Sequence, residues 1–178
     1  MRIRAGRYKG RVLVYPKSGL RPTKDITRQA IFNILGSRVR GARVLDLYAG
    51  GGALGIEALS RGAHEAVFVE QNPVVVRYLR ENTRGLEEAT VVRGDVLRVV
   101  ARFRKAPFDF VLADPPYRSA LVQATLDRVV EFGVIVPGGW FVIEHHKLEQ
   151  PSAPEGWELV KQHTYGESLV SLLRRSGG

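Results

Sequence analysis

A glycine-rich turn stands between a short apolar strand and a helical pattern: Asp46-Leu47-Tyr48-Ala49-Gly50-Gly51-Gly52-Ala53-Leu54-Gly55. Val44 and Leu45 precede it with the apolar character of a buried strand, and a helical pattern continues from Ile56. Glycines at a strand-to-helix turn allow a tight bend and a close approach of the backbone to a ligand. The stretch therefore predicts a ligand-binding turn in an α/β fold.

The same turn is compatible with two cofactors. The spacing Gly50-x-Gly52-x-x-Gly55 matches a dinucleotide fingerprint, and Glu70 ends the next predicted strand, so an NAD-dependent dehydrogenase is one alternative. Asp46 stands just before the turn, where its negative charge would repel a pyrophosphate and attract the ammonium and sulfonium groups of S-adenosylmethionine. We therefore expect S-adenosylmethionine as the cofactor.

A second motif, Asp114-Pro115-Pro116-Tyr117, follows an apolar run at residues 108–113 that is typical of a buried strand. The two prolines fix φ and remove two backbone donors, so the segment leaves the strand stiffly with its carbonyl oxygens available. A carboxylate and a carbonyl could accept both hydrogens of a base amino group, and the tyrosine could stack on the base. The motif predicts methyl transfer to an amino nitrogen; the alternative is an ordinary turn after a strand.

Strand and helix patterns alternate along the rest of the chain, which favours a doubly wound α/β domain. We predict a Rossmann-like class I S-adenosylmethionine-dependent methyltransferase fold, with a seven-stranded, mostly parallel sheet and an antiparallel last strand. A basic extension (residues 1–40) would precede the catalytic domain (residues 41–178). The extension is predicted to hold a hairpin (residues 2–5 and 11–15) and a helix that begins at Thr23 or Asp25, ends near Gly36 and buries Ile26, Ala30, Ile31, Ile34 and Leu35. Later helices are predicted at residues 73–84, 96–103 and 121–132, and later strands at 66–69, 90–92, 140–144, 157–164 and 168–173.

Positive charge is concentrated at the start of the chain. Residues 1–43 hold twelve of the 27 lysines and arginines but one of the 18 acidic residues. A basic stretch is often a solvated surface, but beside a base-modifying site it predicts an arm that contacts RNA phosphates. The predicted RNA-contacting residues are Arg2, Arg4, Arg7, Lys9, Arg11, Arg21 and Arg28. We expect residues 1 to about 22 to supply RNA affinity without forming the cofactor pocket.

Composition excludes several classes of protein. The 178 residues contain no cysteine, which rules out thiol catalysis and disulfide scaffolding. There is no long apolar run or signal-peptide layout, so we expect a cytoplasmic protein without membrane association. The four histidines lack metal-ligand spacing, and no metal site is predicted. A monomer is expected.

Several stretches together resemble the bacterial 16S ribosomal RNA (guanine(966)-N(2))-methyltransferase family. They are Ile3-Arg4-Ala5-Gly6 with Gly10-Arg11, Gly19-Leu20-Arg21-Pro22-Thr23-x-Asp25-x-x-Arg28, Phe32-Asn33-x-Leu35, the turn from Asp46 through Ala63, and Asp114-Pro115-Pro116-Tyr117. The likeness spans most of the chain and is loose after Gly139. Gln29 departs from the glutamate that the family usually has after the arginine.

The resemblance implies S-adenosylmethionine-dependent methylation of guanine N2 in 16S ribosomal RNA, within the small subunit or an assembly intermediate. It implies these roles: Asp46 orients the cofactor's amino group, Gly50 and Gly52 approach its methionine portion, Glu70 binds its ribose, Asp95 with neighbouring Val96 faces its adenine, and residues 114–117 hold the target amine. Methylation of adenine N6 or of a protein glutamine is the nearest alternative. A further alternative is an RNA-binding module that has lost activity.

Overall fold

The computed structural model describes residues 1–18, 25–117 and 120–178. In these residues the helices are α1 (Asp25–Leu35), α2 (Ala53–Ser60), α3 (Pro73–Asn82), α4 (Val96–Val99) and α5 (Leu121–Glu131), with 3-10 turns at Gly36–Val39 and Val100–Phe103. The strands are β1 (Arg43–Leu47), β2 (Glu65–Glu70), β3 (Ala89–Arg93), β4 (Phe108–Ala113), β5 (Ile135–His146), β6 (Trp157–Tyr165) and β7 (Ser168–Arg175). None of the helices just given is both long and apolar enough to cross a membrane.

In the part of the chain that the structure describes, the strands form one seven-stranded sheet in the order β3-β2-β1-β4-β5-β7-β6. Strands β1 to β5 pair in parallel, and β7 is antiparallel to both of its neighbours. Strands β2 and β3 are added on one side of β1, and β4 and β5 are added on the other side. The order in which strands join the sheet therefore reverses between β1 and β4. This confirms the predicted α/β class and the antiparallel closing strand.

Alternate residues of the central strands supply two hydrophobic cores, one on each face of the sheet. Val44, Phe68 and Phe110 belong to the core shared with α1, α2 and α3, whereas Leu45 and Val111 belong to the core shared with α4 and α5. This alternation is the two-residue period expected of strands covered on both faces. The sheet is therefore the fixed frame from which the loops at its carboxyl edge project.

The amino-terminal extension packs onto the first of these cores. An isolated bridge joins Arg2 and Val12, and Ile3 N donates to Arg11 O (3.0 Å), so the predicted hairpin forms in a reduced version. Ile3 and Leu13 are buried against the helices of the catalytic domain. The predicted boundary at residue 40 therefore marks a change in charge, while the residues on its two sides share one core.

A buried carboxylate on α2 holds the extension in place. Glu57 has no exposed surface, and its Oε2 and Oε1 accept hydrogen bonds from Arg4 N (3.1 Å) and Ala5 N (3.2 Å). The guanidinium of Arg61 donates to Oε1 (3.0 Å), and that of Arg28 lies 3.5 Å from Oε2. Because an unpaired charge at this depth is costly, these contacts fix the path of residues 4–5 across α2.

The buried face of α1 differs from the prediction. Ile26 is 64% exposed, whereas Thr27, Arg28 and Phe32 are buried. The guanidinium of Arg28 bonds to Arg2 O (2.7 Å) and to the Asp25 carboxylate (2.8 Å). These partners allow a charged side chain to occupy the inner face beside Ile31 and Leu35, which are buried as predicted, so the prediction is wrong for Ile26.

Two element boundaries also differ. The helix predicted at residues 96–103 is α4 followed by a 3-10 turn, and the strand predicted at residues 140–144 is part of the longer β5. The register of β5 against β4 shifts where β5 begins, and a Cβ added at Gly139 would lie 2.9 Å from Asp109 O. The absence of a side chain at Gly139 therefore lets β5 begin at Ile135, ahead of the predicted strand.

Candidate active site

A cavity of about 460 Å³ opens at the carboxyl edge of the sheet, where the loops after β1, β2, β3 and β4 meet the end of β5. This edge is where ligands bind in open α/β sheets. The predicted cofactor and catalytic residues that line it are Asp46, Gly50, Glu70, Asp95, Val96, Asp114, Pro115, Pro116 and Tyr117. The fold thus brings together residues that are far apart in the sequence.

The glycine turn is tied to the end of β2. Gly50 N donates to Glu70 Oε2 (3.0 Å), and Asn72 N donates to Glu70 Oε1 (3.0 Å). Gly50 has φ 57° and Gly52 has φ 89°, the left-handed region that favours glycine. Each carboxylate oxygen of Glu70 can accept further hydrogen bonds, and the residue lines the cavity.

Gly52 does not line the cavity, although it was predicted to approach the cofactor. A Cβ at this position would lie 2.7 Å from Leu79 Cδ1, and its φ would strain any other residue. Gly52 is the residue that precedes α2, and its N–H donates to Ala49 O (2.8 Å). Its glycine is therefore required by the turn and by packing against α3.

Asp46 is a buried carboxyl at the floor of the cavity. Its Oδ2 accepts a hydrogen bond from Gly55 N (2.9 Å), near the start of α2. Burial raises the pKa of Asp46 well above its ordinary value, the bond from Gly55 opposes this rise, and the negative charges of Asp114 and Glu70 add to it. A cation entering the cavity would favour the ionised form.

Asp95 lies across the cavity at the start of α4. Its Oδ1 accepts a hydrogen bond from Leu97 N (2.8 Å), which caps the helix. The side chain also lines the cavity beside the buried Val96. The capping role and a ligand-facing role are thus compatible in one residue.

The Asp-Pro-Pro-Tyr turn leaves β4 along the cavity wall. Asp114 N donates to Leu47 O (3.4 Å) across the β1–β4 pair, Pro115 is buried and Pro116 is exposed. Tyr117 OH donates to Glu144 Oε1 (3.2 Å) and is also hydrogen-bonded to Ser168 Oγ. These bonds hold the tyrosine hydroxyl on the β5–β7 pair and leave its half-buried ring at the cavity wall.

The environment of Tyr117 changes its acidity. Burial raises the pKa of the Tyr117 hydroxyl, the bond to Ser168 lowers it, and the nearby charges of Glu144 and Asp114 raise it further. The hydroxyl therefore stays protonated at neutral pH and acts as a donor to Glu144.

Glu144 and Tyr15 are among the cavity residues that the sequence did not predict. Glu144, near the end of β5, lies at the wall beside Tyr117, and its position at a strand end next to β4 could have indicated it. Tyr15 comes from the basic extension, which was not expected to form the cofactor pocket. No local pattern marks Tyr15, because its place in the cavity depends on how the extension packs.

The predicted RNA-contacting residues divide into several groups. The prediction for Arg28 is wrong, because its side chain is completely buried by the contacts described above. Arg21 lies outside the described residues. Arg4 pairs with Asp25, Arg7 pairs with Glu88, and the Arg11 side chain donates to the carbonyls of Asn82 (3.1 Å) and Arg84 (2.6 Å). Arg2 and Lys9 are exposed on the same extension.

The donor set of the cavity fits S-adenosylmethionine. Asp46, Glu70, Asp95 and Asp114 all present carboxyl groups to it, a negative lining suited to an ammonium, a sulfonium and hydroxyl groups and unsuited to a pyrophosphate. Within residues 1–18, 25–117 and 120–178, no three His, Cys, Asp or Glu side chains are grouped to hold a metal ion.

Comparisons with known proteins agree along almost the whole chain. The family model described as "Conserved hypothetical protein 95" matches residues 1–174. The Escherichia coli (strain K12) protein named Ribosomal RNA small subunit methyltransferase D is 34% identical over 180 residues, covering 98% of this chain and 90% of that protein. The solved structure of yhhF from Escherichia coli has a TM-score of 0.88 at 32% identity and covers 100% of this chain and 99% of that chain. An RNA methyltransferase from Salinibacter ruber, solved with S-adenosyl-L-homocysteine, has a TM-score of 0.67 at 16% identity, covers 88% of this chain and 95% of that chain, and shows likeness of fold alone.

Proposed function

The chain belongs to the family described as conserved hypothetical protein 95, and on that premise we propose that it methylates the exocyclic N2 of one guanine in 16S ribosomal RNA. The observation that carries the proposal is the juxtaposition of the Asp114-Pro115-Pro116-Tyr117 turn with an acid-lined cavity at the carboxyl edge of the sheet. The 34% identity to the Escherichia coli protein named as a ribosomal RNA methyltransferase supports RNA as the substrate. The choice of guanine N2 rests on the family resemblance and on the chemistry of the turn.

Each part of the cavity has a role in holding S-adenosylmethionine. Asp46 would orient the ammonium group, and the carboxylate of Glu70 would accept hydrogen bonds from the ribose hydroxyls. Asp95 and Val96 would face the adenine, with Val96 supplying an apolar surface. When bound, S-adenosylmethionine would supply an electrophilic methyl group, because its positively charged sulfur can leave with the bonding electron pair.

The turn after β4 would prepare the amine for that attack. The lone pair of an exocyclic amine is delocalised into the ring, so the nitrogen is a poor nucleophile until its hydrogens are held out of the ring plane. The Asp114 carboxylate and the Pro115 carbonyl would accept one hydrogen each. After the N–C bond forms, the proton lost from N2 passes to Asp114 and then to water. Catalysis of this kind depends mainly on positioning.

The base must reach the turn from outside. A guanine in a duplex would have to leave its stack, and an unpaired one could enter directly. The half-buried ring of Tyr117 would stack on it. We propose the small ribosomal subunit or an assembly intermediate as the substrate, bound through phosphate contacts to the exposed part of the basic extension.

The test is transfer of a tritiated methyl group to small subunits from a strain that lacks the modification, followed by nucleoside analysis. N2-methylguanosine at a single position is the expected product, and subunits from the parent strain, which already carry the modification, should accept no label. N6-methyladenosine would overturn the guanine claim. Label in protein instead of RNA would favour the glutamine alternative, and no label with intact cofactor binding would favour a module that has lost activity.

A further inference from the structure

Glu144 has a position that the proposed chemistry does not use. In the β4–β5 pair Ala113 is aligned with Ile143, so Asp114 and Glu144 are the next residues on two adjacent strands. Both side chains line the same cavity. Two carboxyl groups therefore come off neighbouring strands at the place where the target base must sit.

Glu144 is also set deep in the wall. The residue is 7% exposed, and its Oε1 accepts a hydrogen bond from Tyr117 OH (3.2 Å). Ser168 is hydrogen-bonded to the same hydroxyl. Glu144 lies within β5, paired with Val170 of β7, so its carboxylate projects from a fixed backbone position that does not depend on the tyrosine, as recognition of a base edge requires.

The Watson–Crick edge of guanine presents two kinds of donor side by side, the N2 amino group and the N1–H. Adenine presents a lone pair at N1 instead. If the turn holds the N2 amine at Asp114, the adjacent N1 lies toward the neighbouring strand end. We propose that the Glu144 carboxylate accepts the N1–H of guanine and so makes the site select a purine that carries a proton on N1. This inference rests on the proposed function.

The expected discrimination is large. A purine without the N1 proton would turn a nitrogen lone pair toward a buried carboxylate, which replaces a hydrogen bond with electrostatic repulsion. Sites built to bind a specific N–H or O–H reject analogues that lack it by factors up to about 10⁴. We expect at least about 100-fold here, because some water can reach the cavity.

The test compares two target bases in otherwise identical subunits, guanine and 2-aminopurine. 2-Aminopurine keeps the N2 amine but has no proton on N1. The full-length wild-type protein should methylate guanine with a kcat/KM at least about 100-fold higher. In Glu144→Gln the amide can donate to N1 of 2-aminopurine or accept from N1–H of guanine, so the ratio should fall by about tenfold or more.

Tyr117→Phe is the matched control, because it removes the hydroxyl that binds Glu144 and keeps the ring. Its guanine to 2-aminopurine ratio should remain that of the wild type, whatever its absolute rate. S-adenosylhomocysteine binding by calorimetry confirms that each variant is folded.

Two results would overturn the inference. One is a wild-type ratio in Glu144→Gln, which would leave Glu144 as a support for Tyr117 alone. The other is an equal fall of the ratio in Tyr117→Phe, which would mean that Glu144 acts through the tyrosine. Failure of the proposed function is a separate outcome, because the wild type would then form no N2-methylguanosine at all.

Discussion

The ring of Tyr15 lies directly against the backbone of Gly51: a Cβ placed on Gly51 would lie 2.4 Å from Tyr15 Cε1. The amide of Asn82 reinforces this contact, since its Nδ2 donates both to Val14 O (2.9 Å) and to Gly51 O (2.8 Å). The extension therefore supports the glycine turn after β1. The expectation that the first 22 residues take no part in the cofactor pocket is wrong for Tyr15, which lines the cavity.

Tyr15→Ala should weaken S-adenosylhomocysteine binding and also destabilise the protein. Removing a large part of an aromatic side chain from a packed surface costs on the order of 2 kcal/mol of unfolding free energy. The measurements are calorimetry with the ligand and urea unfolding. Tyr15→Phe is the control, because it keeps the ring against Gly51 and loses only the hydroxyl contact to Met1 Sδ. Unchanged affinity in Tyr15→Ala would mean that the glycine turn holds its shape without the extension.

Asp114→Ala should lower kcat by at least about 100-fold, because it removes the group that accepts the hydrogen and then the proton of the amine. S-adenosylhomocysteine affinity should stay within a few-fold of the wild type. Single-turnover methylation measures the first effect and calorimetry the second. Asp114→Asn keeps one acceptor oxygen and cannot take the proton. Its kcat should lie between those of the wild type and Asp114→Ala. A near-normal kcat in Asp114→Ala would assign the hydrogen bond to the Pro115 carbonyl alone.

Glu70→Ala should weaken S-adenosylmethionine and S-adenosylhomocysteine together, because both present the same ribose. The loss of binding free energy should be at most roughly 1.5–3 kcal/mol for each of the two charge-assisted hydrogen bonds that the ribose loses. The carboxylate also binds Gly50 N, so a loosened turn could weaken both ligands without any ribose contact. 2′-Deoxy-S-adenosylhomocysteine separates the two effects. It should bind less tightly to the wild type than the parent compound does, and this difference should disappear in Glu70→Ala.

NAD provides a direct check on the cofactor. The carboxyl-lined cavity should not bind a pyrophosphate, and calorimetry should detect S-adenosylmethionine binding and no NAD binding. The opposite result would establish the dehydrogenase alternative.

Stability and cofactor binding should both depend on pH through Asp46. Its folded-state pKa is raised above the unfolded value by burial, so its stabilising contribution is complete below the unfolded pKa and is lost as the pH rises through the folded pKa. The free energy of unfolding of the cofactor-free protein should fall over that interval, while S-adenosylmethionine affinity rises because the ionised carboxylate attracts the ammonium. Urea unfolding and calorimetry at a series of pH values measure both trends. Asp46→Asn should flatten both curves; parallel curves would assign the pH dependence to another group.

The exposed basic residues of the extension should bind RNA phosphates. Arg2→Gln with Lys9→Gln should weaken RNA binding and lower the slope of log K against log salt by roughly 0.7–0.9 for each phosphate that the variant no longer neutralises. Lys105→Gln is the matched control and should leave the slope unchanged. Lys105 is exposed and precedes β4, so it lies at the amino edge of the sheet, opposite the edge that holds the cavity. Weaker binding with an unchanged slope would mean that the extension acts through shape. No change in either quantity would place the RNA surface elsewhere.

Local patterns were sufficient for most of the site. Asp46, Glu70, Asp95 and Asp114 each follow or end a strand, and a parallel sheet brings such positions to one edge whatever their separation in the chain. The order of strands therefore converts four local signals into one cavity.

The errors arose where a residue's role depends on distant partners. A buried arginine and an exposed one look alike in a sequence, and only the carboxylates of Asp25 and Glu57 reveal that Arg28 faces inward. Gly52 could be recognised as a turn residue, but its contacts with Leu79 and Phe68 depend on the packing of α3 and β2. Tyr15 lines the cavity because of how the extension packs, which no hydrophobic periodicity in the sequence predicts.

The hydrogen bonds that the backbone N–H groups of Arg4 and Ala5 donate to Glu57 limit how target specificity can be exchanged between relatives. A chimera that received only a foreign extension would leave the buried carboxylate facing backbone donors of a different path. The interchangeable unit is residues 1–61, the extension together with β1 and α2 through Arg61, because this segment contains every partner of that carboxylate described above. Engineering a new RNA target on this scaffold therefore means transplanting a piece that carries the glycine turn of the cofactor site with it.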